Sequence, residues 1–210
     1  MSVLKKLKAI HHNLQKCRQC PQMCGTPVHG PAVDTRVMLI GQAPGVHEAT
    51  FGKPFAYTAG KTLFKWIEQG TGVDEESFRA QVYMAAVARC FPGKSGKGDR
   101  EPSKEEIEMC RQHLKEEVAV LKPQLIIAVG RVAITEVLGA KVFPKSKGLS
   151  DVVGKKLKTN FHGQDVEVIC LPHPSGVSTW PHTDEGKKKL KKALSLLSSH
   201  SAWQEGLSEI

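Results

Sequence analysis

The sequence predicts an α/β domain whose central, mostly parallel sheet has four strands flanked by helices. Short apolar runs and amphipathic stretches alternate along the chain, the pattern of strands joined by crossover helices. Each apolar run stops at glycine, proline or cysteine, as buried strands do where they leave a sheet. With 210 residues, 40% of them apolar, the chain has enough material for one domain with a full core.

The elements follow in order. Residues 3–16 read as a basic amphipathic helix, with Leu4, Leu7, Ile10 and Leu14 at helical spacing. Residues 17–34 form a loop rich in Pro, Gly and Cys. Residues 36–40 are the first strand, which breaks into a turn at Gly41, Pro44 and Gly45. Residues 62–69 are a helix with Leu63, Trp66 and Ile67 on one face. Residues 81–88 are the second strand, and 91–100 a polar loop. Ser103 is a good N-cap, followed by Glu105 and Glu106 in the first turn, so a helix starts there. It ends before Pro123.

Residues 124–129 are a third strand, and Gly130 turns the chain into a helix ending near Gly139. Residues 141–159 read as basic and irregular. Residues 166–171 are the fourth strand, stopping at Pro172-His173-Pro174-Ser175-Gly176. Residues 185–198 are the last helix, and residues 200–210 read as a frayed tail. One domain spans 1–210, with residues 1–34 as an N-terminal helix and cysteine-bearing loop.

The net charge of +9 narrows the partners. Its excess lies at Lys94, Lys97 and Arg100, at Lys141, Lys145, Lys147, Lys155, Lys156 and Lys158, and at 187–192. Such a surface suits a polyanion held through its phosphates, although solubility alone also produces Lys-rich faces. No apolar run reaches the 18 residues of a membrane span. The N-terminus is too polar for a signal peptide, so a cytoplasmic location is expected.

A cytosolic chain rarely keeps structural disulfides, so clustered cysteines suggest a metal site. Cys17 and Cys20 form a C-x-x-C pair, Cys90 ends the second strand, and Cys110 lies on the next helix. Two-plus-one-plus-one ligation suits an iron–sulfur cluster, and a four-cysteine zinc site is the rival. Cys170 sits within a buried strand and reads as a small core residue. Cys24, four residues after Cys20, lacks a matching partner.

In the turn after the first strand, backbone N–H groups are open to a flat ligand, and Phe55 lies close by for stacking. An ordinary loop with a core Phe is the plainer alternative. Taken together, these motifs resemble the uracil-DNA glycosylase superfamily, specifically its iron–sulfur family 4. The family's C-x-x-C-P entry matches Cys17, Cys20 and Pro21. Its first motif, G-E-A-P-G-x-x-E-D-x-x-G-x-P-F, falls on Gly41-Gln42-Ala43-Pro44-Gly45, Glu48, Gly52, Pro54 and Phe55. Its R-x-P-x-x-E-E-I-x-x-C signature falls on Arg100, Pro102, Glu105, Glu106, Ile107 and Cys110. Its H-P-S motif is His173-Pro174-Ser175. The resemblance runs from Cys17 to about Leu197.

That resemblance implies a single α/β domain and a 4Fe–4S cluster on Cys17, Cys20, Cys90 and Cys110. It implies hydrolysis of the glycosidic bond of a damaged base in single- or double-stranded DNA, leaving an abasic site, and nothing in the sequence points beyond a monomer. Phe55 would stack on the flipped base, and the backbone of Gly41, Gln42 and Ala43 would meet its polar edge. His173 would donate to the pyrimidine O2. Ser175 would contact DNA, and Val177 or Trp180 would fill the gap left in the stack. Three departures bear on chemistry. Gln42 replaces a Glu, Ala49 replaces an Asp, and Ala86 stands where the family has a base-reading Asn. Glu48 remains as one carboxylate at motif spacing, and His173, Gln42 and Glu48 are the candidate catalytic residues. The loop at 93–100 is longer than the family's by about four residues. These departures leave a glycosylase of broadened specificity, extending to hypoxanthine or xanthine, and a non-catalytic iron–sulfur DNA-binding protein as the two main readings. A zinc-stabilised domain acting on nucleotides is the third.

Overall fold

A computed structural model describes residues 1–96 and 98–207. Lys97 of the basic loop and residues 208–210 of the tail lie outside the described residues. The central sheet has five strands, in the order β2 (Tyr83–Ala86), β1 (Val37–Gly41), β5 (Leu125–Val129), β7 (Gln164–Leu171) and β6 (Lys156–Phe161). Strands β1, β2, β5 and β7 run parallel, and they are the four expected strands. All five residues of β1 and all five of β5 are buried, because helices cover both faces of the sheet.

Helix α1 (Val3–Gln15) is capped by Ser2, and α5 (Lys104–Leu121) by the Ser103–Glu106 capping box. Between β1 and β2 lie α2 (Val46–Phe51), α3 (Thr58–Thr71) and α4 (Glu75–Gln81). Helix α6 (Arg131–Leu138) follows β5, and α7 (Asp184–Ser198) follows β7. Among the described residues no helix is long and apolar enough to cross a membrane.

Four features differ from the sequence reading. The stretch expected to be irregular contains a fifth strand, β6 (Lys156–Phe161), antiparallel to β7 at the sheet edge. Its alternation is polar on the outer face, and Lys156 and Lys158 guard the free edge. The connection to β7 is a two-residue hairpin turn at His162 and Gly163, both at positive φ (51° and 83°). The tail forms α8 (Ser201–Leu207), seated by Trp203, which is 1% exposed and lies 5.9 Å from the Phe78 ring. Helices α2 and α4 cover residues to which the sequence reading assigns no helix, being short and lacking a sustained apolar period, and α4 takes Gln81 from the expected second strand. The polar loop before α5 carries a small hairpin, β3 (Lys94–Ser95) with β4 (Gly98–Asp99).

The register decides where chemistry can occur. Gly41 pairs with Ala86, and Val129 with Leu171. The carboxyl ends of the parallel strands therefore form one edge, where open α/β sheets bind ligands.

Behind the sheet, the buried His11 ring bonds the Tyr83 hydroxyl through Nε2 at 2.8 Å. Burial, with the positive field of His29 and Arg89, lowers its pKa to about 4. The folded chain thus holds His11 neutral, while the unfolded chain protonates it near pH 6.5. That contribution to stability is complete above pH 6.5 and is lost as pH falls toward about 4. Its size is about 3 kcal/mol at the acid end. Urea unfolding at pH 7 and pH 4.5 should show this slope in the parent and a flatter one in His11→Gln.

Candidate functional site

The wall of the site at β1 is built around Phe55. Its backbone adopts a positive φ of 52°, a conformation that costs a non-glycine residue about 1–3 kcal/mol. Arg79 on α4 holds it there. The guanidinium donates to the Pro54 and Phe55 carbonyls, each at 3.0 Å, and pairs with Glu75 at 2.8 Å. It also lies 4.5 Å from the centre of the Phe64 ring. Sequence reasoning missed Arg79, because nothing at its own position ties it to a loop some 24 residues away.

Two glycines leave room for that arrangement. A Cβ on Gly41 would lie 3.1 Å from the Phe55 ring, so the ring rests on the end of β1. A Cβ on Gly60 would sit 1.8 Å from the Phe55 carbonyl oxygen. Gly60→Ala must therefore displace Phe55. We expect a stability loss of about 1–3 kcal/mol from overpacking. A ring misplaced by about 1 Å should slow turnover roughly 100-fold. Thermal melts and single-turnover assays check both effects.

Glu48 is a loop clamp. Its Oε2 accepts from the Gly45 N–H at 2.7 Å, and its Oε1 from the Ala56 N–H at 3.2 Å. Burial raises its pKa against those hydrogen bonds. Both oxygens are thus engaged in tying the turn after β1 to the segment after Phe55. The Gly41 and Gln42 carbonyls accept from Val87 and Ala88. Both carbonyls are thus engaged in tying the turn to the end of β2, where Ala86 is half-buried.

The opposite wall is His173, just past β7. Its Nδ1 accepts from the Ser175 N–H at 3.3 Å, which leaves the proton of the neutral ring on Nε2. Burial lowers its pKa, and the carboxylate of Asp99 opposes that. The ring packs on Gly130, whose φ is 84° and where a Cβ would come within 3.0 Å of His173 Cδ2. Beyond Ser175 the loop presents Val177, 86% exposed. Trp180 is the other residue expected to enter DNA. Its indole N–H donates to Ser150 at 3.2 Å and its ring packs against the core, so it anchors the loop. Val177 is the side chain standing free.

A second site lies beside α1. Cys17, Cys20, Cys90 and Cys110 border one cavity of about 220 Å³. The loop carrying the first two is stitched to the strand end by hydrogen bonds from Cys24 to Phe91 (2.7 Å) and from Val28 to Arg89 (2.8 Å). Cys110 comes from α5, which packs against α1. Burial and the neighbouring thiols push Cys20 up to about 11 and Cys90 up to about 12. Cys24 is exposed and outside the cavity lining, and Cys170 is a core residue with a thiol pushed up to about 12 by burial.

Among the described residues, no group of three or more His, Cys, Asp or Glu is arranged to hold a metal ion. Four thiols spread around a cavity suit a polynuclear group, which places its own atoms between them. Arg89 supplies an independent sign. It is 1% exposed, lines the same cavity, and its Nε and Nη1 have no protein partner. Its Nη2 pairs with the fully buried Glu117. Orphaned cationic donors beside four thiols fit an anionic sulfur-rich group.

Residues 27–198 match the family model described as the uracil DNA glycosylase superfamily. The chain is 31% identical to a type-4 uracil-DNA glycosylase of Pyrobaculum aerophilum, over 83% of this chain and 86% of that protein. It is 29% identical to a type-4 uracil-DNA glycosylase of Saccharolobus solfataricus, over 91% of this chain and 88% of that protein. A relative of the same name from Sulfurisphaera tokodaii is 26% identical, over 90% and 85%. By its fold, its motifs and the span of these matches, the chain belongs to the uracil DNA glycosylase superfamily.

Proposed function

We propose that this chain is a monofunctional DNA glycosylase that removes uracil from DNA and leaves an abasic site. The observation that carries the reading is His173, a neutral ring held with its proton on Nε2 across the strand-end edge from Phe55. A base within a duplex hides its glycosidic bond, so the nucleotide must leave the stack. Lysines on α7 and in the loops hold the phosphates, Ser175 approaches the backbone, and Val177 fills the space the base vacates. Phe55 stacks on the extruded base. As the C1′–N1 bond lengthens, charge builds on the pyrimidine O2, and the His173 Nε2–H meets it without having to give up its proton. Water attacks the sugar, which has become an oxocarbenium-like cation.

Base choice follows from Ala86. Its methyl offers no amide to read the uracil edge and takes little room, so discrimination against larger deaminated bases is relaxed. We therefore extend the substrate range to hypoxanthine and xanthine. We assign a 4Fe–4S cluster to Cys17, Cys20, Cys90 and Cys110. When bound, it supplies a rigid tie between the N-terminal loop, the end of β2 and α5. Unpaired cysteines suit a reducing compartment, here the cytoplasm.

Labelled single- and double-stranded oligonucleotides carrying uracil, hypoxanthine or xanthine test the reading, with alkali revealing abasic sites. Alkali-labile sites at uracil are expected, with slower sites at the purines. Cutting at uracil alone would remove the broadened range. DNA binding with no abasic site at any base would favour the non-catalytic alternative that Gln42, Ala49 and Ala86 suggest. Broad brown absorbance together with bound iron supports the cluster, and a colourless zinc protein contradicts it.

A further inference from the structure

We propose that Asp99, carried by the β3–β4 hairpin, is the carboxylate that orients the attacking water and takes its proton. The inference rests on the glycosylase reading above. Attack on an oxocarbenium-like sugar calls for a negative group beside the water, and the turn after β1 does not present a free one. Gln42 has a neutral amide, Ala49 has no polar group, and both oxygens of Glu48 accept backbone N–H groups.

The hairpin brings a carboxylate to the same place. The Asp99 Oδ2 lies 3.4 Å from the position a Cβ on Gly45 would take, so it stands over the turn that leaves β1. Its Oδ1 accepts from the Lys94 ammonium at 2.7 Å, leaving Oδ2 on the side of the turn. The field of Asp99 also reaches His173 on the other wall. One carboxylate thus stands over the turn after β1, with His173 within reach of its field. The hairpin that carries it is firmly planted. Arg100 donates its backbone N–H to the Gly93 carbonyl at 2.9 Å, and its guanidinium grips Glu106 at 2.7 and 2.8 Å. Among the described residues, the charged and titratable groups facing Asp99 are Lys94 on the hairpin, Glu48 on α2 and His173 beyond β7. Arg100, beside it in sequence, is committed to Glu106 on α5.

The step balances. The C1′–N1 bond breaks and its electron pair leaves with the base, whose O2 is held by His173 Nε2–H. The water oxygen bonds C1′, and one of its protons passes to Asp99 Oδ2. The base anion then takes a proton from solvent, and Asp99 returns its own to solvent.

The test uses the full chain in excess over a uracil-containing oligonucleotide, so that a single turnover is read. Binding is measured on the same oligonucleotide with a non-hydrolysable 2′-fluoro-deoxyuridine. Asp99→Asn should slow base release about 100-fold, the usual worth of a positioned general base. Its affinity for the fluorinated DNA should stay within about threefold of the parent, and Asp99→Glu should restore part of the rate. The parent's rate should fall on acidification along a limb that is missing in Asp99→Asn, an effect a merely structural hairpin contact would not produce. A rate for Asp99→Asn within about threefold of the parent, with His173→Ala strongly impaired, would overturn the role of Asp99 and leave the glycosylase reading standing. A parent without base release would overturn both.

Discussion

Replacing His173 by alanine is expected to slow uracil release 10²–10³-fold, about 3 kcal/mol of transition-state stabilisation. The ring sits on Gly130, takes the Ser175 N–H on Nδ1, and is kept neutral by burial. Its contribution is thus a preorganised Nε2–H, which develops its full strength only as charge appears on the leaving base. Removing it should lower the single-turnover rate and leave DNA affinity nearly unchanged. Equal losses in rate and in affinity would instead make His173 a ground-state contact. His173→Gln keeps a neutral donor and should recover part of the loss.

The second large effect is on stability. Arg89 and Glu117 are both fully buried and paired with each other behind the cysteine cavity. Glu117→Ala leaves a guanidinium in the interior without its counter-charge, which costs about 3–5 kcal/mol. For a chain of this size that corresponds to a fall in Tm of roughly 6–20 °C. Replacing both partners by Met and Leu should recover much of it, because the desolvation cost of two charges disappears together with their attraction. If the orphaned Arg89 donors face a sulfur-rich group, the double variant should also retain less iron than the parent. Calorimetry and iron analysis read these two effects separately.

The fold was legible where one physical requirement dominates a segment. Residues 125–129 are buried on both faces, so they are apolar throughout, and their sequence identifies a strand. Strand β6 was hidden because an edge strand has one solvated face, and its lysines look like loop. Trp203 seats α8 through packing on Phe78, which only the tertiary structure supplies. The same division holds at the site. Gly41, Phe55, His173 and the four cavity cysteines stand out by motif. Arg79 and Arg89 do not, since each acts on a backbone or a cavity that the chain approaches from elsewhere. Glu48 stood out by its spacing, but only the fold shows its oxygens committed to backbone N–H groups.

Direct detection of the released base tests the account most closely. Single-stranded DNA carrying radiolabelled uracil is incubated with the intact chain, and the products are separated without alkali. The account predicts free uracil and an unbroken strand bearing an abasic site, with release reduced at least 100-fold in His173→Ala. DNA bound tightly with no free uracil, or equal release by parent and His173→Ala, would contradict it.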